Sequence, residues 1–216
     1  MKIIITSVCL SFMLLCSAIS SKAATYYVID GVPFSLTPAT LNLPQYNWVL
    51  GSVAATVGQV SASGVYTNTL SLSSPLVAET KTLSLSVLET LSGCLSLPVE
   101  NTIIVLPKTL TALVTSANNF CSGQPISALL TMTTEAVTGL PAGISVITEW
   151  TKDGAPFTLP ADKIVTAAGV YVAKTSYVLP GGALVNPTQL LASLSQATVT
   201  IVGGIALPGV PALSIL

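Results

Sequence analysis

Apolar and polar residues alternate one for one along most of this chain, the period of a strand with one covered and one wet face. Residues 65–73 place Leu70 and Leu72 on one side and Thr69, Ser71 and Ser73 on the other. Residues 81–91 do the same, with Leu83, Leu85 and Val87 facing in and Thr82, Ser84 and Ser86 facing out. Later, Ile126, Ala128, Leu130 and Met132 define one inward face, and Val146, Thr148 and Trp150 another. Residues 26–29, 45–50, 101–106, 109–115 and 197–202 supply further strands, and nothing has the 3.6-residue period of a long amphipathic helix. Asn118-Asn119-Phe120 reads as a turn and residues 139–143 as a protruding loop. Lys152-Asp153-Gly154 reads as a tight hairpin, because an Asp-Gly pair accepts the positive φ angles such turns need. A further hairpin is expected within residues 167–178, through Gly169-Val170-Tyr171.

Strands recurring every 8–12 residues with turn signals between them predict an all-β chain of two tandem sandwiches. The pattern restarts near residues 107–109, which divides the chain into modules at 24–107 and 108–203, with a tail at 204–216. Ahead of them, Lys2, the apolar run 3–15 and the small residues before Ala24 have the order of a cleaved secretory signal peptide, residues 1–23. A lipoprotein signal at Cys16 is the rival, but Leu15 stands where such sites need a small residue. The run is shorter than the roughly 20 apolar residues of a spanning helix, so no membrane span is expected after cleavage.

Charge is sparse: 7% of residues are charged and 51% hydrophobic, with seven Lys, eight acids and no His or Arg. Average domains are about 25% charged. No basic face exists to follow a nucleic-acid backbone, which excludes nucleic acid as a partner class. Without His, the usual Ser or Cys nucleophile lacks its base, and zinc or copper lacks imidazole ligands. Asp30, Asp153 and Asp162 are too scattered for a calcium loop, and no Gly-rich loop carries the Lys of a phosphate cradle. No catalytic residue, cofactor or metal ligand is therefore assigned. Glu149 and Asp153 are the acid pair nearest an aromatic, and solvated turn charges explain them better than a glycosidase dyad.

Cys9 and Cys16 leave with the leader, and Cys94 and Cys121 stay. These two read either as buried thiols or as one bridge, which would contribute about 2–4 kcal/mol if its geometry fits. In the tail, Ile205, Leu207, Val210, Leu213 and Ile215 form either a loosely packed terminus or an extended strand offered to a neighbouring molecule. Tyr26, Tyr27 and Tyr177 could stack on sugars, although core packing is the commoner fate of such residues.

The stretch Phe120-Cys121-Ser122-Gly123-Gln124, then Glu149-Trp150-Thr151-Lys152-Asp153-Gly154, then Ala168-Gly169-Val170-Tyr171 resembles an Ig-like module of bacterial cell-surface proteins. Tyr46-Asn47-Trp48, residues 83–90 and Ser92-Gly93-Cys94 resemble the PKD-like modules that accompany them. The resemblance implies that Trp48 and Trp150 are core residues, that Asp153-Gly154 turns a hairpin, and that Gly169 and Tyr171 fix a sheet corner, none of them catalytic. It also implies display, adhesion or spacing. The first module has a late Cys without an early one and the second the reverse, so Cys94 and Cys121 either link the modules or stay reduced. Cys121 to Trp150 is a long interval for an Ig module.

The functional expectation is an exported, non-enzymatic structural or adhesion protein, at the cell surface or in the medium, with the periplasm as the alternative compartment. Its partners would be protein or glycan at the cell surface, or its own copies, met through sheet edges and loops. A filament or matrix subunit using the tail, and a carbohydrate-binding module, are the alternatives.

Overall fold

The computed structural model describes residues 23–38, 45–88, 94–185 and 195–206. The leader through residue 22 and the tail positions Leu207, Val210, Leu213 and Ile215 lie outside the described residues. Among the described residues the secondary structure is sixteen strands and one short 3-10 turn at Val57–Gln59. In chain order the strands are β1 (Thr25–Ile29), β2 (Pro33–Leu36), β3 (Gln45–Leu50), β4 (Val53–Ala54), β5 (Tyr66–Thr69), β6 (Glu79–Leu88), β7 (Val99–Leu106) and β8 (Thr111–Thr115). They continue with β9 (Asn119–Cys121), β10 (Ala128–Thr134), β11 (Ser145–Lys152), β12 (Ala155–Pro156), β13 (Ile164–Val165), β14 (Gly169–Val178), β15 (Leu184–Val185) and β16 (Ser195–Ile205). The chain is all-β, built as tandem sandwich modules.

Two compact units divide the chain by interleaving. Among the described residues, one draws on 23–26, 35–38, 45–68, 80–88 and 94–103, the other on 27–34, 69–79, 104–185 and 195–206.

In the first unit β7, β6, β3 and β4 lie side by side in that order. β3 and β6 are antiparallel, with Trp48 opposite Leu85 and Leu50 opposite Leu83. Trp48, Tyr66, Leu83 and Ile103 are buried. The expected strand over 65–73 ends at Thr69, although Leu70 is still buried and Ser71 and Ser73 still exposed beyond it. The register keeps the expected faces of β6, since Leu85 lies opposite buried Trp48 and Ser86 opposite exposed Asn47, although Ser86 is itself only 5% exposed. Asn47 reaches it from the neighbouring strand, its Nδ2 donating to the Ser86 hydroxyl at 3.4 Å.

The second unit holds a three-stranded sheet in the order β13-β10-β8 and a five-stranded sheet in the order β12-β11-β14-β16-β9. Every pairing in them is antiparallel except β16 with β9, which is parallel. Ala128 and Leu130 of β10, Val165, Tyr171 and Ile201 form one core cluster, against which Trp150, Phe157, Phe120 and Ile126 pack. Tyr27, Ile29, Ile104, Leu106 and Tyr177 form a second, and Leu140, Ile144 and Val146 pack on it.

Four local expectations change here. Asn119 and Phe120 belong to strand β9, not to a turn, because β16 pairs with them in parallel. Residues 169–178 are one continuous ten-residue strand instead of a hairpin. The closing strand runs on through Gly203 and Gly204 to Ile205, into what composition marks as tail. Finally, residues 139–143 are tied down at their start, while Ala142 and Gly143 stay exposed. Thr138 bridges Val77 in parallel, its N–H donates to Leu76 O at 2.8 Å, its carbonyl accepts from Ala78 N at 3.0 Å, and Leu140 packs on the second core cluster. A Cβ on Gly139 would stand 3.1 Å from Ala78 O, so this close approach favours glycine.

Where the alternation restarts, Pro107 and Thr109 are buried while Lys108 between them is exposed, and the Tyr177 hydroxyl donates to Pro107 O at 2.9 Å.

Candidate functional site

Lys152, Asp153, Gly154, Gly169 and Tyr171 converge where β11, β12 and β14 meet, while Cys121 lies on β9 at the far edge of the sheet. Lys152 and Ala155 are opposite one another, so Asp153 and Gly154 form a two-residue turn, and their φ angles of 52° and 82° are both positive. That is the backbone of a type I′ hairpin, whose twist matches the strands it joins. Asp tolerates the left-handed region better than most residues because its short side chain bonds locally. Here the bond reaches the neighbouring strand: Val170 N–H donates to Asp153 Oδ1 at 2.8 Å, and Asp153 N–H donates to Val170 O at 2.8 Å.

Gly169 permits this approach. A Cβ on it would lie 2.6 Å from Asp153 Oδ2 and 2.7 Å from Lys152 Cε, and its φ of +150° disfavours a side chain independently. Lys152 Nζ stands 3.8 Å from Asp153 Oδ2 and 5.9 Å from the centre of the Tyr171 ring.

Tyr171 is 1% exposed, with its ring edge-on to Phe157 at 5.3 Å. Its hydroxyl donates to Ala167 O at 2.8 Å, four residues upstream, tying the incoming chain to the strand it enters. Burial raises the hydroxyl pKa, and the nearby Asp153 charge adds to the effect. A shallow cavity of about 160 Å³ beside the corner is lined by Lys152, Phe157, Pro160, Ile164 and Tyr171, among others. The polar atoms of this corner are bonded to one another or to backbone, and what they do is hold strand ends.

Trp150 is half-buried, packed on the first core cluster and opposite Ala173 in register. In the first unit Trp48 is 4% exposed, donates from Nε1 to Gly64 O at 3.0 Å, and stacks on Tyr66 at 5.3 Å. Sequence reasoning overlooked Gly64, whose only signal was a turn-like Ser-Gly: with φ +82°, a Cβ there would lie 2.0 Å from the Tyr46 ring.

Cys94 and Cys121 are both exposed thiols, without a bridge, and one belongs to each unit. Cys121 sits on β9, whereas a bridge across the second sandwich would join β10 to β14, where the fully buried positions are Ala128, Leu130, Tyr171, Ala173 and Thr175. Glu149 is exposed on the outer face of β11, and Asp153 Oδ1 is engaged by Val170, so the two carboxylates do not share a pocket. Core packing, the commoner fate, holds for Tyr27 and Tyr177, which are 8% and 6% exposed, and Tyr26 is half-buried. Burial holds the Tyr177 hydroxyl pKa up at about 12. Among the described residues no three His, Cys, Asp or Glu form a metal cluster, and no helix is long and apolar enough to cross a membrane.

Strand order, the parallel β9–β16 pair and the tyrosine bonded to its own approach define an immunoglobulin-like sandwich. Among solved structures the chain is similar to the N-terminal four Ig domains of Dscam1 isoform 9.44, at 12% identity over 87% of this chain and 44% of that one, TM-score 0.33. It is similar to immunoglobulin domains 1–4 of Sidekick-1, at 12% identity over 85% and 50%, TM-score 0.33. It is also similar to the fibronectin(III)-like modules of Clostridium thermocellum CbhA, at 11% identity over 85% and 93%, TM-score 0.35. The chain spans about half the length of the Dscam1 and Sidekick-1 chains. No family model and no curated protein matches it.

Proposed function

We propose that this chain is an exported, non-enzymatic protein that acts by surface contact at the cell envelope, as an adhesion or scaffold component built of a PKD-like and an Ig-like module. One observation carries the reading: at the corner where the sequence gathers its polar motif residues, Asp153, Lys152 and Tyr171 are bonded within the fold, while apolar side chains such as Ile147, Val170 and Val202 stand exposed on the five-stranded sheet. Exposed apolar side chains within a sparsely charged surface suit docking better than turnover.

The test is to express the full chain with its leader in a bacterial host, fractionate the cells and sequence the N-terminus of the product. The reading requires a processed form in the envelope or medium that begins near Ala24 and captures envelope components when immobilised. Unprocessed protein confined to the cytosol, or turnover of a substrate by the purified protein, would overturn it.

A further inference from the structure

The outer face of the five-stranded sheet is nearly free of charge, and its two charges are placed as a pair. The outward positions of β11 and β14 include Ile147, Thr151, Val170 and Val172, and those of β16 include Thr198 and Val202. Ile147, Val170, Val178 and Val202 are 38–43% exposed. The charged residues among these outward positions are Glu149 on β11 and Lys174 on β14, and the register sets them directly opposite one another. Their seam runs down the middle of the four strands β12-β11-β14-β16.

The charge pair of this face is therefore its own complement. A two-fold axis lying between two such faces, along the β11–β14 seam, lays each copy's β11 over the other's β14 and each Glu149 over the other's Lys174. The same operation lays Ile147 over Ser176, Thr151 over Val172 and Ser145 over Val178, uncharged against uncharged, without placing equal charges together. An interface of this symmetry uses one patch twice, which is what a self-complementary patch permits.

Resting on the contact function above, we infer that the outer face of the β12-β11-β14-β16 sheet is a homophilic interface whose partner is a second copy of this chain. A ten-residue strand spans about 33 Å and the strands lie about 5 Å apart, so the paired faces cover on the order of 1,000 Å² in total. That size belongs to weak, reversible association, suited to many copies acting together.

The experiment is sedimentation equilibrium of the full chain and of Glu149→Lys and Lys174→Glu, each alone and in equimolar mixture. The wild type should show a monomer–dimer equilibrium below about 1 mM, the weak end of specific association. Each single reversal replaces two attractive pairs by two repulsive ones and should weaken self-association about tenfold or more. The mixture should form heterodimers at concentrations where each variant alone is monomeric. Both positions lie on the outer face, and circular dichroism melts check that both variants remain folded. A wild type monomeric at 1 mM, single reversals that dimerise as well as wild type, or a mixture that stays monomeric would overturn the inference. Envelope capture of other molecules by a monomeric chain would leave the broader contact function standing, so the two failures are distinguishable.

Discussion

Val170 donates its backbone N–H to Asp153 Oδ1 at 2.8 Å, so one carboxylate both turns the β11–β12 hairpin and fixes the first residues of β14. A turn residue thus acts as a joint between non-adjacent parts of the chain.

Replacing Asp153 separates its two duties. Asp153→Asn keeps a residue that accepts positive φ and a side-chain acceptor, whereas Asp153→Ala removes both. The expected losses are roughly 0.5 kcal/mol for Asn and about 2 kcal/mol for Ala, read as shifts in urea midpoint at constant slope.

The buried tyrosines make the fold sensitive to alkali. Tyr177 is held at about 12 against an ordinary 10.0 by burial, and Tyr171 is raised in the same direction. Above pH 10 the unfolded chain gives up these protons before the folded one does, so the folded state is favoured fully below that pH and progressively less as pH climbs to about 12. Chemical denaturation at pH 9, 10.5 and 11.5 should show falling stability, with the Tyr177→Phe slope shallower than wild type. Equal slopes would mean that this hydroxyl is not the titrating group.

Tyr171→Phe tests the corner itself. It leaves the ring on Phe157 and deletes the bond to Ala167 O, at an expected cost of about 0.5–1.5 kcal/mol. Hydrogen exchange should quicken first at the amides of residues 167–170.

In the first unit, Gly64→Ala is expected to cost several kcal/mol. The new Cβ would sit 2.0 Å from the Tyr46 ring, and a positive φ adds about 1 kcal/mol of backbone strain. Because Trp48 Nε1 donates to Gly64 O, a change in tryptophan fluorescence should report the displacement.

The thiols offer a simpler check. Cys94 and Cys121 are exposed, so both should react with a thiol reagent in the native state, and exchanging each for Ser should alter stability by no more than about 0.5 kcal/mol.

What the sequence determined by itself is local. Alternation identified the inward faces of β10 and β11, and Asp153-Gly154 announced its hairpin, because side-chain direction in a strand and φ preference in a tight turn depend on adjacent residues alone. What only the tertiary structure decided is which strands lie beside which. Ser86 is reached by Asn47 from the neighbouring strand, residues 138–140 are drawn against 76–78, Cys121 falls on an edge strand, and Glu149 meets Lys174 across a register. A period of two is the same in every strand and carries no address, so pairing follows from how the sheets cover one another's apolar faces, a condition spread over the whole chain.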